Sequence, residues 1–528
     1  MRVLRTKFFF LPKVLALCIA AVLLTRTLSA SAQVTGRVLT ANSFAALQQA
    51  LAAAGTEDTT IRLTADITAT DTLVIPADAH ITLTDDGTPR KLSRAPAFYA
   101  APLLTISPDG TAILRANAGL TVSGAGVTVS GRLSGALVEC LGHLTLDGCE
   151  LSGSVFNGRG AAGNVYVGPG AELVMNGGAI RDNQVTTGAT LGSAGVLVDG
   201  GRFTLAGGQI THNLASVSSV NHGGGVHVQS GVFVMNGGAV TENRSGFGGG
   251  VAVEQGGAFE MNGGAVQNNA AEDGGGLFLW SEQVSLNAGD ISGNTAQGYG
   301  GGLYAYGTGP DNAAVRLMDV AVYGNTALAT GGSLYNCPVG SAYFFENDGA
   351  AFFDNTARQA GDEIYASANS YPGKSKTLTS RMLGGGTWLV YKDTADRYRL
   401  GDPPVSADAY RAFTGILALH AEPSAEDKTL ALAAARLIIH GNTALNGGGL
   451  ANNGDLYFGR DLPTPPETDP PETNPPETDL PETPTPETNP PETDPPETIP
   501  PETLAPETNP PTTDPPITPA PEPTPTPT

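Results

Sequence analysis

Apolar and polar residues alternate in short runs along most of this chain, and the clearest example is written twice between positions 223 and 269. The two copies read GGGVHVQSGVFVMNGGAVTEN and GGGVAVEQGGAFEMNGGAVQNN. Each copy holds three alternating runs separated by glycine-rich corners, and each run is too short to be a helix. A unit of this length cannot bury its own apolar side and has to stack on its neighbours. The pattern therefore predicts an all-β chain coiled into a solenoid.

An asparagine recurs three residues after an apolar residue, at steps of 25 to 31 residues, in the pairs Ile180/Asn183, Ile210/Asn213, Val240/Asn243, Val266/Asn269, Ile291/Asn294, Val322/Asn325 and Phe352/Asn355. A regular step with three strands inside it implies parallel strands about 4.8 Å apart, with equivalent residues above one another. An amide side chain both donates and accepts, so asparagines stacked at one corner form a ladder. The other two corners carry a second asparagine row (Asn176, Asn236, Asn262 and Asn287) and glycine triplets that begin at Gly223, Gly248, Gly274 and Gly300.

The regular coils are flanked by segments of different composition. The run SFAALQQALA has helical spacing and follows Asn42 as an N-cap, so a short helix within a cap at about 42–60 should cover the first coil. The solenoid body is predicted at 33–460, with an irregular insertion at about 366–435 where the period is lost. Repeats such as PPETD and PPETN fill 461–528, and this composition predicts a disordered, extended, Pro/Glu/Thr-rich tail.

The first 32 residues have the composition of a signal peptide. Basic residues precede an apolar run from Val14 to Leu24, and Ala30-Ser31-Ala32 provides small residues for cleavage. The apolar run is short for a bilayer span, and no later segment is long and apolar enough to cross a membrane. We therefore expect an exported protein, secreted or held at the cell surface, without a transmembrane segment in the mature chain.

The repeats resemble a known family. GGAI at 177–180, and the run from Val322–Asn325 or Phe352–Asn355 through Asn-Thr-Ala to a glycine cluster, look like the polymorphic outer-membrane protein repeat. That repeat belongs to the class of pectin-lyase-like right-handed parallel β-helices. The resemblance covers about residues 165–365 and returns at 440–454. It implies a right-handed parallel β-helix with three strands per coil and an exported cell-surface protein of adhesin-like function, with the outer membrane among its locations.

Charge and cysteine content narrow the classes of function. The chain has 51 Asp and Glu against 28 Lys and Arg, a net charge of −23, which disfavours nucleic acid as a partner. Its Cys and His residues show no metal-ligand spacing, so we predict neither a metal site nor a cofactor. Cys140 and Cys149 fall in neighbouring predicted strands, where they are either small buried residues or a disulfide.

Enzymes of the pectin-lyase-like class gather carboxylates or basic residues from successive coils. The residues before three consecutive ladder asparagines, Asp182, His212 and Glu242, would lie about 5 Å apart on successive coils, which suits shared acid/base chemistry. Corners also favour small polar residues for structural reasons, and the next two coils have Asn and Gly at this position. These three residues are therefore weak catalytic candidates.

Aromatic residues provide the stronger signal. On the strand after the glycine triplet, alternation directs one residue per coil outward, which stacks Leu197, His227, Ala252, Phe278, Tyr304, Tyr335 and Tyr365, with Trp280 and Tyr306 two positions further on. An exposed aromatic row suits stacking against sugar rings or contact with a protein. The alternative is a row that only supports neighbouring strands, or one covered by the segment 366–435. We predict Phe278, Trp280, Tyr304, Tyr306, Tyr335 and Tyr365 as the ligand-binding residues.

The sequence thus favours binding over catalysis. The expected function is adhesin-like binding of a glycan or a surface protein by an exported β-helix. A polysaccharide lyase or glycoside hydrolase is the first alternative, and a structural surface spacer is the second.

Overall fold

The structure is a computed structural model that describes residues 36–130, 135–157, 162–186, 192–216, 221–306, 314–336, 341–345, 350–360, 362–367, 376–377, 388–391, 397–399, 416–421, 425–426, 428–429, 437–453 and 455–459. The predicted leader at 1–32, the predicted tail at 461–528 and most of 366–435 lie outside these residues. The described residues belong to a compact unit that ends at Pro463.

Helix α1 (Phe44–Ala54) covers the first coil. Its N-cap is Ser43, whose Oγ accepts a hydrogen bond of 3.3 Å from the Ala46 amide, so the predicted cap at Asn42 is wrong by one residue. The buried side chains repeat with helical spacing and join the main core, at Leu47, Ala50, Leu51 and Ala54. This face closes an apolar end that the first coil would otherwise expose.

Short parallel strands form the first coils. They are β1 (Arg37–Ala41), β2 (Thr59–Leu63), β3 (Ile67–Ala69), β4 (Leu73–Ile75), β5 (His80–Asp85), β6 (Arg90–Arg94), β7 (Leu104–Ile106), β8 (Thr111–Arg115), β9 (Leu120–Ser123) and β10 (Thr128–Val129). Each pairs with the equivalent strand of the next coil, as in the series β2, β5 and β8.

The regular coils follow, with strands β11 (Gly135–Cys140), β12 (His143–Ser152), β13 (Val155–Phe156), β14 (Ala162–Val167), β15 (Glu172–Arg181), β16 (Gln184–Val185), β17 (Gly192–Leu205), β18 (Gln209–Thr211), β19 (Leu214–Ala215), β20 (Val226–Met235), β21 (Ala239–Thr241), β22 (Val251–Gln267), β23 (Ala270–Ala271), β24 (Leu277–Leu279), β25 (Val284–Ser292), β26 (Thr295–Ala296), β27 (Leu303–Ala305), β28 (Ala314–Tyr323), β29 (Thr326–Ala327) and β30 (Leu334–Asn336). The three predicted runs of each coil are present. A two-residue strand follows the ladder asparagine on these coils, except after Asn243, where Arg244 makes isolated bridges. The predicted parallel β-solenoid is confirmed, with about 8 turns.

The last strands are β31 (Ser341–Phe345), β32 (Ala350–Phe353), β33 (Thr356–Ala360), β34 (Ile364–Ser367), β35 (Lys376–Thr377), β36 (Trp388–Tyr391), β37 (Arg397–Arg399), β38 (Ile416–Ala421), β39 (Leu437–His440), β40 (Thr443–Asn446), β41 (Leu450–Asn452) and β42 (Asp455–Gly459). Strand β38 pairs antiparallel with β34 and β36, and β36 with β37. Strands β36 to β38 of the irregular segment therefore form an antiparallel sheet, whereas β35 pairs parallel with β42.

Apolar side chains from equivalent positions stack along the inside of the solenoid. The rings of Phe203, Phe233 and Phe259 lie 4.9 and 5.0 Å apart and nearly parallel. The predicted inward row is fully buried, at Met175, Leu205, Met235, Met261 and Leu286. Burying one such side chain contributes about 1.5 to 3 kcal/mol, so the continuous core is the main source of stability. Cys140 and Cys149 are buried free thiols, and no disulfide joins them.

The predicted asparagine ladder is present and buried. The backbone and side-chain amides of Asn213 both donate to Oδ1 of Asn243, at 3.0 and 2.9 Å, and the same pair of bonds repeats on the following coils. Each side-chain amide also donates to a backbone carbonyl of the preceding coil, as Asn213 does to Ile180. The ladder therefore satisfies buried backbone groups that the turn leaves unpaired.

The order of the last coils differs from the prediction. Strand β39 pairs with β28 on one side and with β32 on the other, so the coil of residues 437–459 lies between two coils that precede it in sequence. Asn355 is therefore separated from Asn325 by one coil. The predicted direct succession of these two asparagines is wrong.

Candidate functional site

The first strand of each coil carries the predicted row. Leu197, His227, Ala252, Phe278, Tyr304 and Tyr335 pair in this order through β17, β20, β22, β24, β27 and β30. Ala451 then follows, and Tyr365 comes after it. The predicted register is correct up to Tyr335, and the inserted coil displaces Tyr365 by one step.

The row faces away from the main core, as alternation predicts. Leu277 and Leu279 belong to that core, whereas Phe278 between them belongs to a separate cluster with Tyr304 and Tyr335. The predicted solvent exposure of this row is wrong, however, because these three side chains are only 3%, 8% and 8% exposed. They cover one another, since Tyr304 meets both Phe278 and Tyr335 edge-on, at 5.6 and 5.0 Å.

A second layer of aromatic rings lies on this buried floor and is accessible in part. Trp280, Tyr306, Phe247 and Tyr365 are partly buried against it, and Tyr299 is 40% exposed. We call the floor and this second layer the aromatic cluster, which consists of Phe247, Phe278, Trp280, Tyr299, Tyr304, Tyr306, Tyr335 and Tyr365.

Ring contacts hold the second layer in place. Trp280 meets Tyr306 edge-on at 5.6 Å, and Tyr299 stacks on Tyr335 at 4.7 Å. The Nε1 atom of Trp280 is buried and has no hydrogen-bond partner among the described residues. The aromatic cluster therefore offers fixed ring faces together with one unused indole donor.

A polar group adjoins the aromatic cluster on the same side of the solenoid. His222 Nδ1 lies 2.7 Å from Oε1 of Glu254, and His227 Nε2 lies 3.2 Å from the same oxygen. His222 also contacts Phe247 and Phe278, with ring centroids 5.1 and 5.7 Å apart. We call His222, His227 and Glu254 the His/Glu cluster.

The coil geometry explains why these three residues meet. His227 pairs with Ala252 of the next coil, and Glu254 follows Ala252 by two residues, so it extends from the same face. His222 precedes its glycine triplet and pairs with Phe247 at the corner. Residues from two coils and one corner therefore converge on one point.

Burial and proximity shift the protonation equilibria in the His/Glu cluster. Burial lowers the pKa of His227, whose side chain is fully enclosed, and Glu254 opposes this only in part. Burial also acts to raise the pKa of Glu254, but the contacts with His222 and His227 outweigh it and hold this pKa well below its usual range. Near neutral pH, Glu254 is therefore an anion beside a neutral His227.

Sequence reasoning missed this cluster and predicted no metal site. His222 and His227 are five residues apart, a spacing that indicates no ligand pair on one strand, and Glu254 lies a coil away. The signal that could have found it is the predicted row that contains His227 and Ala252. The alignment that stacks these two residues also places Glu254, two positions after Ala252, on the same face of the solenoid. Reading the row two positions further along would have brought Glu254 to His227, whereas His222 comes from the corner before the glycine triplet.

The weak catalytic candidates lie at a different corner. His212 Nε2 and Glu242 Oε2 are 2.7 Å apart, whereas Asp182 pairs with Arg181. All three have left-handed backbones, with φ of 54 to 56°, and Gly293, Gly324 and Gly441 adopt this conformation on other coils. About half of each side chain is exposed. The corner thus explains the small and polar residues found here. The Thr211 hydroxyl lies 2.8 Å from His212 Nδ1, on the other side of the ring from Glu242.

Comparisons with known proteins give no relative. No family model matches the chain, no curated protein matches it, and no solved structure does. Among the described residues, no helix has the length and apolar character needed to cross a membrane.

Proposed function

We propose that this chain is an exported cell-surface β-helix protein that binds a glycan on its aromatic cluster. The single observation that supports this most is the second layer of partly accessible rings, Trp280, Tyr299 and Tyr306, fixed on a buried aromatic floor. Ring faces held in this way stack on the C–H faces of sugars without losing much side-chain entropy on binding. Export is supported by the leader composition, and display at the surface by the resemblance of the repeats.

The charge of the chain favours a neutral sugar. A net charge of −23 disfavours polyanionic glycans, and Glu254 adds a carboxylate beside the aromatic cluster. The unpartnered Trp280 Nε1 is a donor that a sugar hydroxyl would satisfy once the ring shifts enough to admit it. We therefore expect neutral hexose- or N-acetylhexosamine-containing glycans among the ligands.

A glycan array probed with the full chain tests the proposal. Trp280→Ala and Tyr306→Ala should each reduce binding about 10-fold or more, because losing one stacked ring costs roughly 1.5 kcal/mol. The matched control is Tyr99→Ala, which removes an aromatic ring that is 54% exposed on an earlier part of the solenoid. This control should bind as the unaltered chain does.

Two results would contradict glycan binding at this surface. Binding that survives both substitutions would place the ligand elsewhere, and absence of binding to any glycan would favour a protein ligand or a spacer role. The bound glycans should also be recovered and their masses measured by mass spectrometry, since shortened products would indicate the lyase or hydrolase alternative.

A further inference from the structure

We propose that His222, His227 and Glu254 form a binding site for a single divalent transition-metal ion of the Zn²⁺ type. Two imidazoles and one carboxylate are a donor set that Zn²⁺ takes in proteins, with one coordination position left for water or a ligand. Their three ligand atoms lie within 4.8 Å of one another. This site adjoins the aromatic cluster, but its three ligands are not the rings proposed to stack on sugar, and it does not require that the chain bind a glycan.

The distances suit one ion bound by all three residues. Metal–ligand bonds of about 2.0 to 2.1 Å at a tetrahedral centre place the ligand atoms about 3.3 Å apart. His227 Nε2 is already 3.2 Å from Glu254 Oε1, and His222 Nδ1 is 2.7 Å from the same oxygen. The two imidazole nitrogens lie within 4.8 Å of each other, so they would have to approach by up to about 1.5 Å.

The positions of the two imidazole rings are compatible with the binding of one ion. The two imidazole centroids are 5.5 Å apart with an angle of 56° between the ring planes. Two imidazoles on one tetrahedral ion have centroids about 5 Å apart and are not stacked. The separation and angle of the two rings are therefore compatible with both imidazoles binding one ion after side-chain shifts.

A purely hydrogen-bonded cluster explains the geometry less well. In such a cluster Glu254 would accept an aligned N–H bond from each histidine. His227 Nε2 makes this bond, but His222 Nδ1, although only 2.7 Å from the carboxylate oxygen, is not aligned with it and has no hydrogen-bond partner. A cation beside these atoms would satisfy the Nδ1 lone pair and the carboxylate together.

The cluster has a route to solvent. The side chain of Glu254 is 17% exposed and that of His222 is 11% exposed, whereas His227 is fully buried. An ion would reach the cluster past Glu254 and His222, and the remaining coordination position would lie on that side.

Titration of the chelator-treated full chain with Co²⁺ and then Zn²⁺ tests the proposal. One equivalent of Co²⁺ should produce the strong visible absorption of four-coordinate Co²⁺, and one equivalent of Zn²⁺ should displace it. Glu254→Gln and His222→Gln should weaken binding about 100-fold or more, because losing even a partner of a ligand costs about 10- to 100-fold.

The exposed His212–Glu242 pair provides the matched controls. His212→Gln and Glu242→Gln remove a histidine and a glutamate that lie 2.7 Å apart at another corner, and neither should change the affinity. Lack of stoichiometric binding, or binding that is lost in these controls and retained in Glu254→Gln, would overturn the proposal.

A measurement on the unaltered protein avoids any variant that fails to fold. X-ray absorption at the zinc edge should show two imidazoles and a carboxylate oxygen around the ion. A spectrum with one imidazole or none would overturn the assignment.

Discussion

The side-chain amide of Asn325 donates a hydrogen bond of 2.9 Å to Oδ1 of Asn442, a residue 117 positions later in the chain. Asn442 in turn donates to Asn355 at 2.8 Å. The ring of His440 lies between those of Tyr323 and Phe353, at 5.3 and 5.1 Å and nearly parallel to both. The coil that comes last in sequence is therefore the penultimate coil of the ladder.

Cysteine pairs test this order of coils. In a Cys337→Ser background, the pairs Ala321→Cys/Ile438→Cys and Ala351→Cys/Ile438→Cys should cross-link under mild oxidation, because each joins neighbours in adjacent parallel strands. The cross-links would be identified by mass spectrometry of peptides.

The control pair is Ala321→Cys/Ala351→Cys, which the sequence period would place on neighbouring coils. Two coil spacings separate these positions, about 9.6 Å, which is too far for a disulfide. Efficient formation of this bridge, without the other two, would show that the coils follow in sequence order.

The regular part of the solenoid could be predicted from sequence, because strand alternation and the ladder are local patterns repeated at a nearly constant step. Asn183 to Asn325 and the inward methionines were placed correctly for this reason. The order of Asn355 and Asn442 could not be predicted, because either asparagine fits the ladder position after Asn325. Which of them occupies it depends on contacts between segments that are distant in sequence. Whether a side chain is buried also depends on residues that are distant in sequence. Alternation predicts the direction in which Tyr304 and Tyr335 point, but it does not predict the neighbouring rings that bury them.

Replacing one ladder asparagine should lower the free energy of unfolding. Asn243→Ala removes a buried amide that donates to Ile210 O and Asn269 Oδ1 and an oxygen that accepts from Asn213. Buried partners left unpaired cost about 1 to 3 kcal/mol each, so the free energy of unfolding should fall by about 2 to 4 kcal/mol. Urea unfolding at constant m-value would measure this loss.

The exposed asparagine row provides the comparison. Asn262 donates to Asn236 in a similar stack, but both side chains are exposed. Asn262→Ala should therefore change the free energy of unfolding by less than about 0.5 kcal/mol. Equal losses in the two variants would contradict a special role for the buried ladder.

Glu363 ends the ladder and should make stability depend on pH. It accepts a hydrogen bond from the Asn355 side chain, and burial raises its pKa from 4.5 to about 8. Between these values the folded protein keeps a proton that the unfolded chain releases. The free energy of unfolding should therefore fall as pH rises from about 4.5 to 8, by up to about 5 kcal/mol, and level off above pH 8.

Glu363→Gln removes this titration and keeps an amide that hydrogen-bonds at the same place. Chemical unfolding at several pH values should show that the free energy of unfolding of this variant increases relative to that of the unaltered chain as pH rises. Glu282→Gln, at an exposed position, should keep the original slope. An unchanged slope in Glu363→Gln would show that this carboxyl group titrates normally.

The emission of Trp280 tests most directly whether the aromatic cluster binds sugar. The chain has two tryptophans, and Trp388→Phe leaves Trp280 as the only one. Titration of this variant with a neutral glycan that binds the full chain should give a saturable change in emission, with the same dissociation constant as an independent binding assay, because the glycan contacts this ring. Binding of the glycan with no change in Trp280 emission would contradict the account.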